Sequence, residues 1–191
     1  MGTALEVPST TSSREDIMAP AGDSVAFATV ATPVGAFTLA VTETGLVASG
    51  WGSSHAGLAD RLGLVEVHDS DRTASAVAEL NAYFAGELRA FATPIDWRLT
   101  SGSRRRVLQA LHAVPYGTAV TYGELARLSG STVPARGIGS IMGSNPIPIV
   151  VPCHRVISGT GLGGFSGGTG VETKRWLLTH EGYLQPTLLD L

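Results

Sequence analysis

Hydrophobic positions alternate with small or polar ones at the front of the chain. Val25-Ala26-Phe27-Ala28-Thr29-Val30 and Ala36-Phe37-Thr38-Leu39-Ala40-Val41-Thr42 read as two strands joined by a turn at Pro33-Val34-Gly35. A turn at Glu43-Thr44-Gly45 leads to a third strand, Leu46 to Trp51, which completes a meander. Gly52 to Ser70 is polar and shows no period. From Thr73 to about Gly86 the spacing turns helical, with Val77, Leu80, Tyr83 and Phe84 on one face and Gly86 as the stop. Thr93-Pro94-Ile95-Asp96-Trp97 reads as extended, because Pro94 disfavours helix before it. It is predicted to be a final strand and the link to the second half.

The second half is predicted to be mainly helical. Ser103 is placed to cap a helix whose apolar face holds Val107, Leu108 and Leu111, ended by Pro115-Tyr116-Gly117. Thr121 and Glu124 have capping-box spacing and open a short helix to about Leu128. A turn through Ser129-Gly130-Ser131 precedes a second short helix, Ala135 to Gly143. Two short helices around a glycine-bearing turn read as helix-turn-helix, a pair also common in proteins that never touch DNA. Asn145-Pro146-Ile147-Pro148 stops that helix. The β-branched run Ile149-Val150-Val151 is predicted as a buried strand that delivers Cys153 to the edge of a pocket. A glycine-rich loop from Gly159 to Gly170 follows, then a closing helix through Trp176, Leu177 and Leu178 to His180-Glu181-Gly182.

Composition narrows the class. The chain has 191 residues, 43% hydrophobic and 15% charged, enough for a sizeable core in one domain or in two small ones sharing an interface. No apolar run reaches the roughly 20 residues of a spanning helix, and Met1 to Leu5 lack a secretion-signal pattern. Residues 1–24, rich in Ser, Thr and Pro, are expected to be a disordered tail. The lone cysteine permits no internal disulfide and no zinc site built on several cysteines, which points to a reducing, cytoplasmic location. A net charge of −3 argues mildly against a nucleic-acid partner, because phosphate contacts usually leave a basic footprint. The consecutive Arg104, Arg105 and Arg106, with Arg127 and Arg136, are the local exception.

Cysteine attacks as a thiolate, and a nearby imidazole can take its proton directly or through water. That imidazole then needs a partner to fix its tautomer, and a buried carboxylate is the usual choice. Pro152-Cys153-His154-Arg155-Val156 places both groups in one segment, although neighbours in sequence need not meet in space. A lone cysteine in an apolar run is otherwise a small core residue. His55, His68 and His112 lack comparable surroundings.

From about Val25 to Gly182 the chain resembles the O6-alkylguanine-DNA alkyltransferases. The resemblance rests on Pro152-Cys153-His154-Arg155-Val156, on Asn145-Pro146 before it, and on Arg136, Tyr122, Pro115-Tyr116-Gly117 and Leu80-Asn81-Ala82-Tyr83-Phe84-Ala85-Gly86. It implies an N-terminal α/β domain over 25–98, a small ribonuclease-H-like antiparallel sheet with a helix. It also implies a mainly α C-terminal domain over 99–191 with a winged-helix-like helix-turn-helix. The implied partner is double-stranded DNA bearing O6-alkylguanine, with O4-alkylthymine left open. The implied reaction is one stoichiometric transfer to Cys153 after base flipping, by a monomer with no cofactor or metal.

The resemblance also implies roles. Cys153 is the acceptor, His154 the base through a water, and Glu181 the holder of His154. Asn145 braces the turn, and Tyr122 assists rotation and hydrogen-bonds the guanine ring. Arg136 fills the gap in the stack. Ala135, Gly137 and Gly139 let the helix sit close in the minor groove. Met142, Val156, Phe165 and Ser166 line the pocket, and backbone N–H groups near Cys153 and Ser166 contact O6. Phe165 departs from the family's usual tyrosine, Gly143 from a basic residue and Leu108 from a tryptophan. The competing readings are a non-catalytic module that flags alkylated bases, and a cysteine hydrolase using Cys153 and His154.

Overall fold

The computed structural model describes residues 24–52 and 57–186. The tail expected over 1–24 lies almost wholly outside them, and so does His55. Three strands, β1 (Ser24–Thr32), β2 (Gly35–Thr42) and β3 (Leu46–Trp51), form the expected meander. Period-two alternation puts Phe37, Leu39 and Val41 of β2 on one face and Ala40 on the other. The first set packs with Ala76, Leu80 and Tyr83 of α2 (Ser70–Phe84). The second face, with Val25 and Val47, is covered by Leu58 and Ala59 of the short helix α1 (Leu58–Leu62).

Several expectations change here. The stretch Gly52 to Ser70 holds α1 and a fourth strand, β4 (Val65–Val67), which pairs parallel to β1. The sheet, ordered β3-β2-β1-β4, is therefore mixed and not purely antiparallel. Helix α2 begins at Ser70 because Asp69 caps it, accepting from the Arg72 N–H at 3.0 Å. Residues 93–97 form no strand. Leu46 and Ile95 share one isolated bridge, after which Asp96 caps a 3-10 turn, Trp97–Leu99.

The C-terminal half comprises α3 (Gly102–His112), α4 (Tyr122–Leu128), α5 (Ala135–Gly143) and α6 (Val171–His180). A two-stranded parallel ribbon joins β5 (Val120–Thr121) to β6 (Val156–Ile157). Ser101, not Ser103, stands at the start of α3. Arg105 ties that corner by donating to the Thr100 and Trp97 carbonyls, and Arg104 donates to the Ser144 carbonyl. These two arginines thus do structural work, while Arg106 donates to the Ser103 hydroxyl. Thr121 and Glu124 form the predicted capping box.

The run 149–151 is a turn and not a strand. Ile149 is left-handed, at φ 73°, which is strained for a β-branched residue. Burial of its side chain among the core residues holds it there. The chain then enters a 3-10 turn, Cys153–Arg155, so the acceptor motif lies on a tight corner. Among the described residues, no helix is long and apolar enough to cross a membrane.

The two halves meet along β3. Ser49 N–H donates to the Pro146 carbonyl at 2.9 Å and its hydroxyl to the Pro148 carbonyl at 3.1 Å. Gly45, at φ 147°, opens the same strand, and a Cβ there would lie 2.6 Å from the Pro94 carbonyl carbon. Gly45→Ala therefore combines backbone strain with a clash against main chain. A stability loss of about 2–3 kcal/mol is expected in urea unfolding; an unchanged midpoint would contradict the close approach.

Candidate active site

A cavity of about 280 Å³ opens between α5 and the glycine-rich loop. Its lining includes Tyr122, Gly139, Met142, Cys153, Phe165 and Ser166. The acceptor corner presents the sulfur at the floor, and Asn145 fixes that corner. Its side-chain Nδ2 donates to the Val151 carbonyl at 2.7 Å, and its Oδ1 accepts from the Ile147 N–H at 3.1 Å. Burial pushes the Cys153 thiol up, against the Asn145 amide, the nearby backbone N–H groups and the Lys174 charge, all of which favour thiolate. The resting group is a protonated thiol, which needs a base before it can attack.

His154, the next residue of the same 3-10 turn, has no exposed surface. Burial lowers its pKa, further helped by the Arg155 and Lys174 charges, and this outweighs the pull of Glu181. The ring is neutral at pH 7. Its Nε2 lies 2.7 Å from Glu181 Oε1. An ionised carboxylate only accepts, so Nε2 carries the hydrogen and Nδ1 the lone pair. Nδ1 is buried and has no hydrogen-bond partner among the described residues.

Glu181 gathers donors from four residues, Tyr83, Gly117, His154 and Arg155. Oε1 also accepts from the Tyr83 hydroxyl at 2.8 Å and from Arg155 Nη2 at 2.9 Å. Oε2 accepts from Arg155 Nε at 2.8 Å and from the Gly117 N–H at 3.3 Å. Burial pushes the carboxyl up, but the hydrogen bonds from His154 and Arg155 and the Arg155 charge overcome it and hold it well below the usual carboxylate range. Behind the pocket loop, buried Lys174 donates to the Val156 carbonyl at 2.6 Å and to the Gly164 carbonyl at 3.3 Å. Burial brings its pKa down to about 8.

Residues 25–97 match the family described as 6-O-methylguanine DNA methyltransferase, ribonuclease-like domain, and residues 102–183 match its DNA binding domain. The chain belongs to this family. A methylated-DNA–protein-cysteine methyltransferase of Mycolicibacterium paratuberculosis is 47% identical over 119 residues, 62% of this chain and 70% of that protein. One of Salmonella typhimurium is 48% identical over 107 residues, 56% of this chain and 61% of that protein. The crystal structure of Mycobacterium tuberculosis O6-methylguanine methyltransferase superposes with a TM-score of 0.70 at 37% identity, covering 86% of this chain and 97% of the other. The same organism's protein in complex with DNA gives 0.69 at 36% identity, covering 83% and 93%.

Within this family member, most of the expected residues gather around one sulfur, but some lie elsewhere. Val156 is core and does not line the cavity; only its carbonyl is used, by Lys174. Gly143 and Gly164 line the cavity instead. The Cys153 N–H already donates to the Val151 carbonyl at 2.9 Å, so it is not free to meet O6. Ala135 and Gly139, four residues apart, share one face of α5, whereas Gly137, two from each, points away from it. Ala135 is exposed, a Cβ on Gly137 would meet Val133 Cγ1 at 2.7 Å, and one on Gly139 would face Tyr122. Arg136 is exposed on α5. Tyr122 keeps its hydroxyl protonated, its pKa raised by burial and by Cys153.

Sequence reasoning missed three members of this network. Tyr83 stands out in the sequence as an apolar-face aromatic in a segment that carries the resemblance, Arg155 as part of the acceptor motif, and Lys174 carries no signal; none is marked there as a partner of the site. Glu181→Gln should cost about 3–5 kcal/mol near pH 7, because it strands the buried Arg155 charge. The folded carboxyl titrates below its unfolded value of about 4.3, so its contribution is present above that pH and lost as pH falls through the folded value. The gap between wild type and variant in urea unfolding should thus narrow in acid; a gap constant from neutral to strongly acid pH would contradict this.

Proposed function

We propose that this chain takes the alkyl group from O6 of a damaged guanine in double-stranded DNA and keeps it on Cys153. The chain is a direct-reversal DNA repair methyltransferase, and the observation that carries the atomic assignment is Cys153 lining the cavity, followed in the same turn by a neutral His154 held by Glu181. Nδ1 of His154 takes the thiol proton through a water while Glu181 balances the imidazolium that forms. The sulfur attacks the alkyl carbon, the carbon–O6 bond breaks, and its electron pair leaves on guanine. A proton reaches the guanine ring, so the thiol proton and the leaving group balance. The Tyr122 hydroxyl, still protonated, donates to the ring as charge builds there. The product is a thioether with no good leaving group, which limits each molecule to one transfer.

Reaching the cavity requires the nucleotide to leave the stack, at a cost of a few kcal/mol that is smaller for a poorly paired lesion. Arg136, exposed on α5, fills the gap that the nucleotide leaves. Recognition through the minor groove suits a site that must accept a lesion in any sequence. A monomer in a reducing cytoplasm suits a thiol that must stay reduced.

Incubation with a duplex containing O6-methylguanine should add a single methyl to the Cys153 peptide and then stop at one equivalent. Binding with no mass gain would favour a lesion-flagging module, and repeated turnover a cysteine hydrolase. Cys153→Ala should abolish transfer yet retain DNA binding; loss of both would contradict a purely chemical role. Arg136→Ala should slow repair in duplex more than reaction with free O6-benzylguanine, and equal slowing would remove its place in base rotation.

A further inference from the structure

The wall of the acceptor cavity is not built by the C-terminal half alone. Phe165, which lines the cavity, packs edge-on against Trp51 at the end of β3, with centroids 5.9 Å apart at 87°. Trp51 in turn packs edge-on against buried Phe37 of β2, at 4.9 Å and 86°. An aromatic chain thus runs from the core of the N-terminal sheet to the pocket. Edge-on stacks are a preferred geometry for such rings and resist sliding.

The loop beside Phe165 is shaped to this tryptophan. A Cβ on Gly167 would overlap the Trp51 ring and would lie 2.8 Å from Phe165 Cε1. A Cβ on Gly168 would lie 3.1 Å from Trp51 Nε1. The indole N–H itself is buried and makes no hydrogen bond among the described residues, so shape and not polarity fixes the ring. Gly170 N–H closes the loop on the Gly167 carbonyl at 2.8 Å, and Thr169 N–H reaches the Thr173 hydroxyl at 2.9 Å. Phe165 therefore has a fixed backbone on one side and Trp51 on the other, and can recede from the sulfur only if Trp51 yields.

We propose that Trp51 sets the size of alkyl group the acceptor cavity takes, acting through Phe165. The inference rests on Cys153 being the alkyl acceptor. Trp51 is a positioning residue, since it does not line the cavity. A single methylene in an apolar pocket changes discrimination roughly 10- to 200-fold, so a wall that moves by the depth of one ring should register clearly in selectivity.

The test uses two duplexes of one sequence, carrying O6-methylguanine or O6-benzylguanine at the same position, and reads the rate of thioether formation with each. Trp51→Leu should raise the benzyl-to-methyl rate ratio about tenfold, whereas Trp51→Phe, which can keep an edge-on contact, should return it close to wild type. Gly167→Ala should also shift the ratio, because its Cβ would press on Trp51 and Phe165 together. The ratio is insensitive to the fraction of folded protein, which scales both rates alike. In a Phe165→Leu background, Trp51→Leu should change the ratio no further. An unchanged ratio in Trp51→Leu overturns the proposal. If that variant does not fold, an unchanged ratio in Gly167→Ala overturns it. Absence of thioether at Cys153 from either duplex in wild type overturns the acceptor assignment itself, a distinct result.

Discussion

Five hydrogen bonds converge on the carboxylate of Glu181, and the site is organised by them. A buried carboxylate is costly unless paired and fully hydrogen-bonded. This one sits just beyond the C-terminal end of α6, where the helix dipole also disfavours negative charge. Arg155 answers both costs with two parallel N–H bonds, a geometry that fixes orientation as well as charge. With the carboxylate so held, His154 has no choice of tautomer. Its Nε2 hydrogen is committed, and the lone pair of Nδ1 remains for the proton of the thiol. Tyr83 brings the N-terminal domain into the same network, so the docking of α2 on the C-terminal half contributes directly to the base.

The acceptor corner obeys a second constraint. A thiolate at rest would be open to oxidation and unwanted alkylation. Burial keeps Cys153 protonated, while Asn145, the local N–H groups and Lys174 stand ready to stabilise the anion once it forms. Ile149, left-handed and buried, sharpens the turn that aims the sulfur into the cavity. The strain is held by core packing on one side and by the Ser49 bonds from β3 on the other. Both domains therefore share the geometry of one reactive atom, although only one of them carries it.

What could be read from the sequence follows from how local each signal is. The β1–β3 meander, the α4 capping box and the bounds of α5 rest on short-range periodicity and cap chemistry, and these are legible. Strand β4 is three residues long, with Val65 and Glu66 both exposed on opposite faces, so it leaves no alternation to read, and its parallel pairing to β1 is a long-range event. The run 149–151 has the β-branched composition of a strand, yet Pro146, Pro148 and the Asn145 bonds impose a turn on it. At the site, the order Asn145, Cys153, His154 and Glu181 pointed to one chemistry through family resemblance. The burial of Arg155, Tyr83 and Lys174 did not, because an arginine or lysine in sequence reads as surface until a fold closes over it. Val156 shows the converse, a motif residue whose side chain belongs to the core and whose carbonyl alone serves the site.

The central claim is that Glu181 locks His154 as the neutral Nε2–H tautomer, leaving Nδ1 as the base for Cys153. Nitrogen-15 NMR of the His154 ring at neutral pH tests it most directly. The account predicts one protonated nitrogen, Nε2, with a hydrogen-bonded proton, and an unprotonated Nδ1. A ring protonated at Nδ1, or an imidazolium at rest, would contradict it.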